Sequence, residues 1–173
     1  TNYSRHPEGI EEYIRSNHPN PEKWDSYRDS WNDLLNGKVR YLLLETVSKC
    51  NLRCPMCIQS EGYPQVDDMN NKLFNIILNN IKELSIPSIA MNQINEPLLD
   101  RDIFSKISSI TSLDCVVDVM MNTNAILLNE EKSKKLVKSG LHRLLVGFDA
   151  ASEEIYSKVR VGGSYNKAKE NVL

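Results

Sequence analysis

The run Tyr41-Leu42-Leu43-Leu44-Glu45-Thr46-Val47 is followed, after Ser48-Lys49, by Cys50-Asn51-Leu52-Arg53-Cys54-Pro55-Met56-Cys57, and the rest of the chain is organised around this stretch. Its first part is the most apolar short run in the protein and reads as a strand. Its second part puts three of the four cysteines within eight residues, and the fourth, Cys115, lies far away. Neighbouring thiols rarely staple a fold, so beside a strand they point to metal or redox chemistry rather than disulfides. A cubane [4Fe–4S] cluster ordinarily takes four thiolates, so three at tight spacing would wrap three irons and leave the fourth open. Structural zinc is the rival occupant. Zinc wants four ligands, usually from paired Cys units. Cys54 and Cys57 form one such pair but no second pair exists, and His6, His18 and His142 show no ligand spacing.

Working outward, strand-like runs recur at 41–47, 86–92, 115–121 and 143–148. Starts at 86, 115 and 143 lie about 28 residues apart, the size of a βα unit. The runs are near-continuously apolar, which predicts a parallel sheet buried on both faces. Helices are expected between them. Over 70–84, Leu73, Ile77, Ile81 and Leu84 share a face, with Phe74 and Leu78 beside them. Over 102–112, Ile103, Ile107 and Ile110 do the same behind Asp102 as N-cap. From Asn129, two glutamates precede three lysines and Gly140, which suits the helix dipole and a glycine C-cap. A short helix over 152–159, a Gly162-Gly163 loop and a helix from Ser164 complete the chain.

This βαβα order predicts an α/β fold, an incomplete TIM-like barrel, because four βα units cannot close a barrel that normally takes eight. Residues 39–173 are read as the first part of a longer unit. Residues 1–38 are read as a helical lead-in punctuated by Pro7, Pro19 and Pro21. There Trp24, Tyr27, Trp31, Leu34 and Leu35 form one face that packs on the following domain. Net charge is −2, with 21 basic and 23 acidic residues, so there is neither a basic field for nucleic acid nor a polybasic membrane anchor. No apolar run approaches the roughly 18 residues of a membrane span. The start, Thr1 to Arg5, lacks a signal-peptide core and an initiator Met. A trimmed chain in the reducing cytoplasm is the expectation.

In parallel α/β folds, function collects at the carboxyl ends of the strands. Four polar segments sit there: the cysteine cluster, Asn95-Glu96-Pro97, Asn122-Thr123-Asn124 and Asp149. Asp149 has a second reading, as the cap of the helix that follows. Cys115, at the start of the third strand, is expected at the opposite end of the sheet as a small buried hydrophobe.

The spacing Cys50-x-x-x-Cys54-x-x-Cys57 after a first strand resembles the signature of the radical S-adenosylmethionine (radical SAM) enzymes, over about residue 40 to the C-terminus. Glu96-Pro97-Leu98-Leu99 resembles the end of that family's Gly-Gly-Glu-Pro segment, with Asn95 where glycine is usual. Thr123-Asn124-Ala125 resembles its Thr-Asn-Gly turn, and Gly147-Phe148-Asp149-Ala150 its Ser-hydrophobic-Asp strand end, with Gly147 in place of Ser. The stretch 156–172, with Arg160 and Gly162-Gly163, looks like the SPASM/twitch-type subgroup. The resemblance implies a (β/α)6 partial barrel holding a [4Fe–4S] cluster on Cys50, Cys54 and Cys57. The open iron would chelate S-adenosylmethionine, and reductive cleavage would give a 5′-deoxyadenosyl radical that takes hydrogen from a peptide, sugar or small metabolite. It implies a reductant such as flavodoxin or ferredoxin. It implies Met56 against adenine and Asn95, Glu96 and Pro97 around the methionine ammonium. Asn124 and Asp149 would contact ribose or methionine, and Arg160 would pair with the SAM carboxylate. A non-catalytic iron–sulfur or zinc-binding module, or an inactive fragment of such an enzyme, is the alternative.

Overall fold

The computed structural model describes Ser16, residues 20–23, residues 38–64, Val66 and residues 68–173. The expected aromatic face at Trp24, Tyr27, Trp31, Leu34 and Leu35 lies outside the described residues. The remainder is a four-stranded parallel sheet in sequential order: β1 Tyr41–Leu43, β2 Ser88–Ala90, β3 Asp118–Thr123 and β4 Arg143–Val146. Between and after the strands run α1 Asn71–Glu83, α2 Ile103–Thr111, α3 Glu130–Lys138, α4 Glu153–Val159 and α5 Tyr165–Val172. Parallel neighbours joined by right-handed crossovers keep the connecting helices on one face of the sheet. Accordingly α1, α2 and α3 touch in sequence order, with α2 against β3. The result is the expected α/β partial barrel.

Local chemistry sets each boundary. The Asn70 side chain caps α1 by accepting from the Leu73 amide at 2.9 Å. At its other end Ser85 takes a left-handed φ of 51°. That lets the Ser85 and Ile86 amides reach back to the Lys82 and Ile81 carbonyls. Asn129 and Gly140 bracket α3 as expected, with the Lys132 amide on Asn129 at 2.8 Å and φ 78° at Gly140. The core lies between helices and sheet, with Ile89, Met91, Val119 and Met121 meeting Ile103 and Ile107. Burying each such side chain contributes about 1.5–3 kcal/mol.

Three expectations change. The middle of the sheet is closed off: β2 is buried throughout, whereas β1 and β4 carry exposed residues, because among the described residues each has a strand neighbour on one side only. The inward face of α1 is Phe74 and Ile81, flanked by Ile77 and Leu78; Leu73 and Leu84 are 46% and 55% exposed. That helix is rolled by about one position from its predicted face. Asp102 makes no side-chain cap on α2; instead the Asp100 carboxylate accepts from the Asp102 amide at 2.9 Å. Asp100 also meets Lys106 at 2.7 Å in an ion pair almost wholly removed from water. This pair fastens α2 to the segment following β2. Among the described residues, no helix is long and apolar enough to cross a membrane.

Candidate functional site

The thiol loop leaves the sheet after β1 and is held from three directions. The buried Gln59 donates to the Ser48 carbonyl at 2.8 Å, closing the loop's two ends on each other. The Glu96 amide donates to the Lys49 carbonyl at 2.8 Å, binding it to the segment after β2. The Arg53 amide donates to the Val161 carbonyl at 2.8 Å, binding it to the turn after α4. That turn approaches closely: Gly162 takes φ 91°, and a Cβ at Gly163 would stand 3.0 Å from the Tyr156 ring and 3.1 Å from the Arg160 carbonyl oxygen. Leu52, 1% exposed, fills the space beneath. Within the loop the Cys57 amide donates to the Cys54 carbonyl at 2.9 Å, a tight turn that presents successive cysteines.

The loop faces a cavity of about 430 Å³ at the carboxyl ends of all four strands. Cys50, Cys54 and Cys57 line it, as do Met56, Asn95, Glu96, Asn124, Asp149 and Arg160. Pro97 is not part of the wall: it is buried at the first position of the 3₁₀ turn Pro97–Leu99, behind Glu96. Met56 is 63% exposed at the mouth. The remaining cysteine, Cys115, precedes β3 at the far end of the sheet. It is half-buried, with its Sγ 3.7 Å from the Ile81 carbonyl oxygen.

Glu96 is the keystone of the wall. It is 1% exposed, and its carboxylate accepts from Thr123 Oγ1 at 2.8 Å, the Asn124 amide at 2.8 Å and the Leu98 amide at 3.1 Å. Burial pushes its carboxyl above the usual carboxylate range, against the pull of those donors. A carboxylate has about four lone-pair sites, so roughly one remains for a bound cation. Asn95 offers the reverse: its Oδ1 accepts from the Gln93 amide at 3.1 Å, while its buried Nδ2 has no partner.

Donors converge on the thiols. The Leu52 amide lies 3.5 Å and Asn124 Nδ2 3.9 Å from Cys50 Sγ, while Arg160 Nη1 lies 3.8 Å from Cys54 Sγ. Burial raises the Cys50 thiol above its ordinary value; the Leu52 amide opposes this, and Glu96 and the other two thiols add to it. Asp149 holds φ 53° and its carboxylate pairs with Arg160 Nη2. It does not cap the next helix: that place belongs to Ser152, which accepts from the Ile155 amide at 3.4 Å. At Gly147 a Cβ would overlap Arg160 Nη2 and sit 3.2 Å from its Cζ, so glycine there makes room for the guanidinium.

The donor set suits an iron–sulfur cubane better than a single ion. Among the described residues, no group of three or more Cys, His, Asp or Glu side chains converges closely enough to hold one metal ion. Tetrahedral zinc needs such convergence. A cubane spreads its thiolates over separate irons, which fits thiols around a cavity with N–H donors aimed at sulfur.

Sequence reading passed over Asn92 and Gly147 as wall residues, and placed Thr123 at a strand end without giving it a role. Asn92 Oδ1 accepts from the Asn122 amide at 2.7 Å, joining the β2 and β3 ends. A buried polar residue ending an apolar run is the signal that marks it. Gly147 carried a signal too, as a departure from the family's Ser, but only the position of Arg160 gives it meaning.

A model of the radical SAM superfamily matches residues 44–173. The chain is 31% identical over 139 residues to a GTP 3′,8-cyclase of Clostridium botulinum, covering 78% of this chain and 43% of that protein. It is 27% identical over 143 residues to the GTP 3′,8-cyclase of Alkaliphilus oremlandii, covering 81% and 44%. It therefore spans less than half the length of these relatives. Among solved structures, anSMEcpe with bound AdoMet superposes with a TM-score of 0.65 at 20% identity, covering 78% of this chain and 39% of that one. BtrN in complex with AdoMet and 2-DOIA superposes with a TM-score of 0.61 at 19% identity, covering 77% and 55%. Both likenesses are of fold.

Proposed function

The chain belongs to the radical SAM superfamily, and from that premise we propose that Cys50, Cys54 and Cys57 hold a [4Fe–4S] cluster beside an S-adenosylmethionine site. The family's cofactor pair supplies one-electron cleavage of S-adenosylmethionine to a 5′-deoxyadenosyl radical, which abstracts hydrogen from substrate. The observation that carries the reading is the single cavity where three thiols meet the polar ends of β2, β3 and β4. Residues 39–173 then form the cofactor-binding part of the core behind the lead-in of residues 1–38.

Each wall residue has a task in this reading. Met56 covers the adenine at the cavity mouth. Glu96 directs its remaining lone pair at the methionine ammonium, and Pro97 fixes the turn that holds it there. The unpartnered Nδ2 of Asn95 is a donor, so it suits a carboxylate or a cluster sulfide rather than an ammonium. Asn124 and Asp149 meet ribose or methionine oxygens, and Arg160 has N–H groups left for the methionine carboxylate. The electron comes from a reductant of the flavodoxin or ferredoxin class. Four free cysteines support a reducing compartment, the cytoplasm. For the substrate we propose a small metabolite of nucleotide type, supported by the GTP 3′,8-cyclase relatives.

Anaerobic reconstitution tests the reading. About four irons and four sulfides per chain, a reduced-state EPR spectrum that shifts on adding S-adenosylmethionine, and 5′-deoxyadenosine released with dithionite are expected. Stoichiometric zinc without iron would sink it. A cluster whose spectrum ignores S-adenosylmethionine would leave a non-catalytic iron–sulfur module.

A further inference from the structure

Arg160 reaches Cys54 in a way that S-adenosylmethionine binding does not require. Its Nη1 lies 3.8 Å from Cys54 Sγ, its Nη2 pairs with Asp149, and its Nε is buried without a partner. Cys54 is the most enclosed of the three thiols, 6% exposed. The guanidinium occupies the volume that any side chain at position 147 would claim. Charge, donor and vacated space therefore coincide at one sulfur. Among the described residues, Cys50 receives neutral donors, the Leu52 amide and Asn124.

We propose that Arg160 sets the reduction potential of the cluster through Cys54, with Gly147 keeping the place for its guanidinium. The proposal rests on the three cysteines holding a cluster. Reduction adds one electron and makes the cluster and its thiolates more negative. A cation donating to a ligand sulfur favours that state, and burial magnifies the effect because little water screens it. Asp149 balances the cation in the oxidised protein and fixes its direction. Removing Arg160 leaves the Asp149 carboxylate uncompensated beside the site, which lowers the potential further. Adding a side chain at 147 displaces the fork while leaving the charge in the molecule, so it separates the hydrogen bond from the net charge.

The test is the midpoint potential of the reconstituted protein in the absence of S-adenosylmethionine, followed by EPR, for wild type, Arg160→Gln, Arg160→Lys and Gly147→Ala. Iron is counted in each sample. Arg160→Gln should lower the reduction equilibrium constant at least tenfold, about 59 mV for one electron. Arg160→Lys and Gly147→Ala should each lower it by a smaller factor, at wild-type iron content. An unchanged midpoint in all three variants with four irons bound overturns this proposal and leaves the cluster assignment standing. If Arg160→Gln fails to take up iron, an unchanged midpoint in the other two overturns it equally. A wild-type protein that binds no iron overturns the cluster assignment and this proposal together.

Discussion

The two ends of the sheet contain the same kinds of side chain and treat them oppositely. At the amino end, Asp118 accepts from Arg143 Nε at 2.9 Å and from Ser88 Oγ at 3.3 Å, and His142 Nδ1 accepts from the Val119 amide at 2.9 Å. Cys115 is engaged there with a backbone carbonyl. At the carboxyl end the bonding is as dense but incomplete. Among the described residues, the buried side-chain atoms without a partner belong to Thr46, Asn95, Tyr156 and Arg160. Two of these, Asn95 and Arg160, line the cavity at that end. Closed polar networks hold a fold together, whereas polar atoms left open in a wall of donors are capacity kept for something else.

Substitutions at the two ends should therefore separate ligand binding from stability. The largest contrast is between cysteines. Replacing Cys50, Cys54 or Cys57 by Ala should abolish retention of the four-iron cluster, while Cys115→Ala should leave iron per chain unchanged after anaerobic reconstitution. Equal loss from all four would erase the distinction between the ends. Next, Asp118→Ala should lower stability by about 1–3 kcal/mol, a buried carboxylate with two partners discounted for the exposed Arg143, without altering iron content. A urea midpoint and an iron assay decide it.

Glu96→Gln should move both stability and the S-adenosylmethionine-dependent shift of the EPR spectrum. Its amide group would face the Asn124 N–H, at a cost of about 1–3 kcal/mol. The pH dependence has a definite sign. The folded carboxyl titrates above its unfolded value because of burial, so the native state binds the proton more tightly. That contribution is fully present below the unfolded value and is lost as pH rises through the folded one. The cost of Glu96→Gln, from urea midpoints at several pH values, should shrink over that window; a growing cost would refute the burial argument. The smallest effect is expected at Ala125, which holds φ 61° while fully buried. Ala125→Gly relieves a left-handed strain of about 1–2 kcal/mol and gives up a buried methyl worth about 0.8 kcal/mol, plus the added chain entropy of glycine. The net change in urea midpoint should correspond to less than about 1 kcal/mol.

The order of strands and helices was legible because each apolar run is followed by an amphipathic one, and the polar strand ends then fell on one mouth by topology alone. The roll of α1 was not, since Leu73, Phe74, Ile77 and Ile81 support two overlapping stripes that only the facing core separates. The thiol spacing was legible, and so was Glu96 as a wall residue. Its engagement by Leu98, Thr123 and Asn124 was not, because hydrogen bonds across 27 and 28 positions leave no trace in local pattern. The partnership of Asp149 with Arg160 was hidden for the same reason, and with it the meaning of glycine at 147.

The bond from the Arg53 amide to the Val161 carbonyl has a consequence for when the site can exist. The thiol loop takes its shape against a turn made more than a hundred residues later. A growing chain that has emerged only as far as β3 already displays all three cysteines, yet has neither that turn nor Arg160. The wall at that moment lacks everything contributed after β3, Asp149 and Arg160 included. On the proposed reading, loading during synthesis has to wait until residue 163 is out and folded back, which leaves the cysteines unenclosed while the more than one hundred residues between Cys57 and that turn are made.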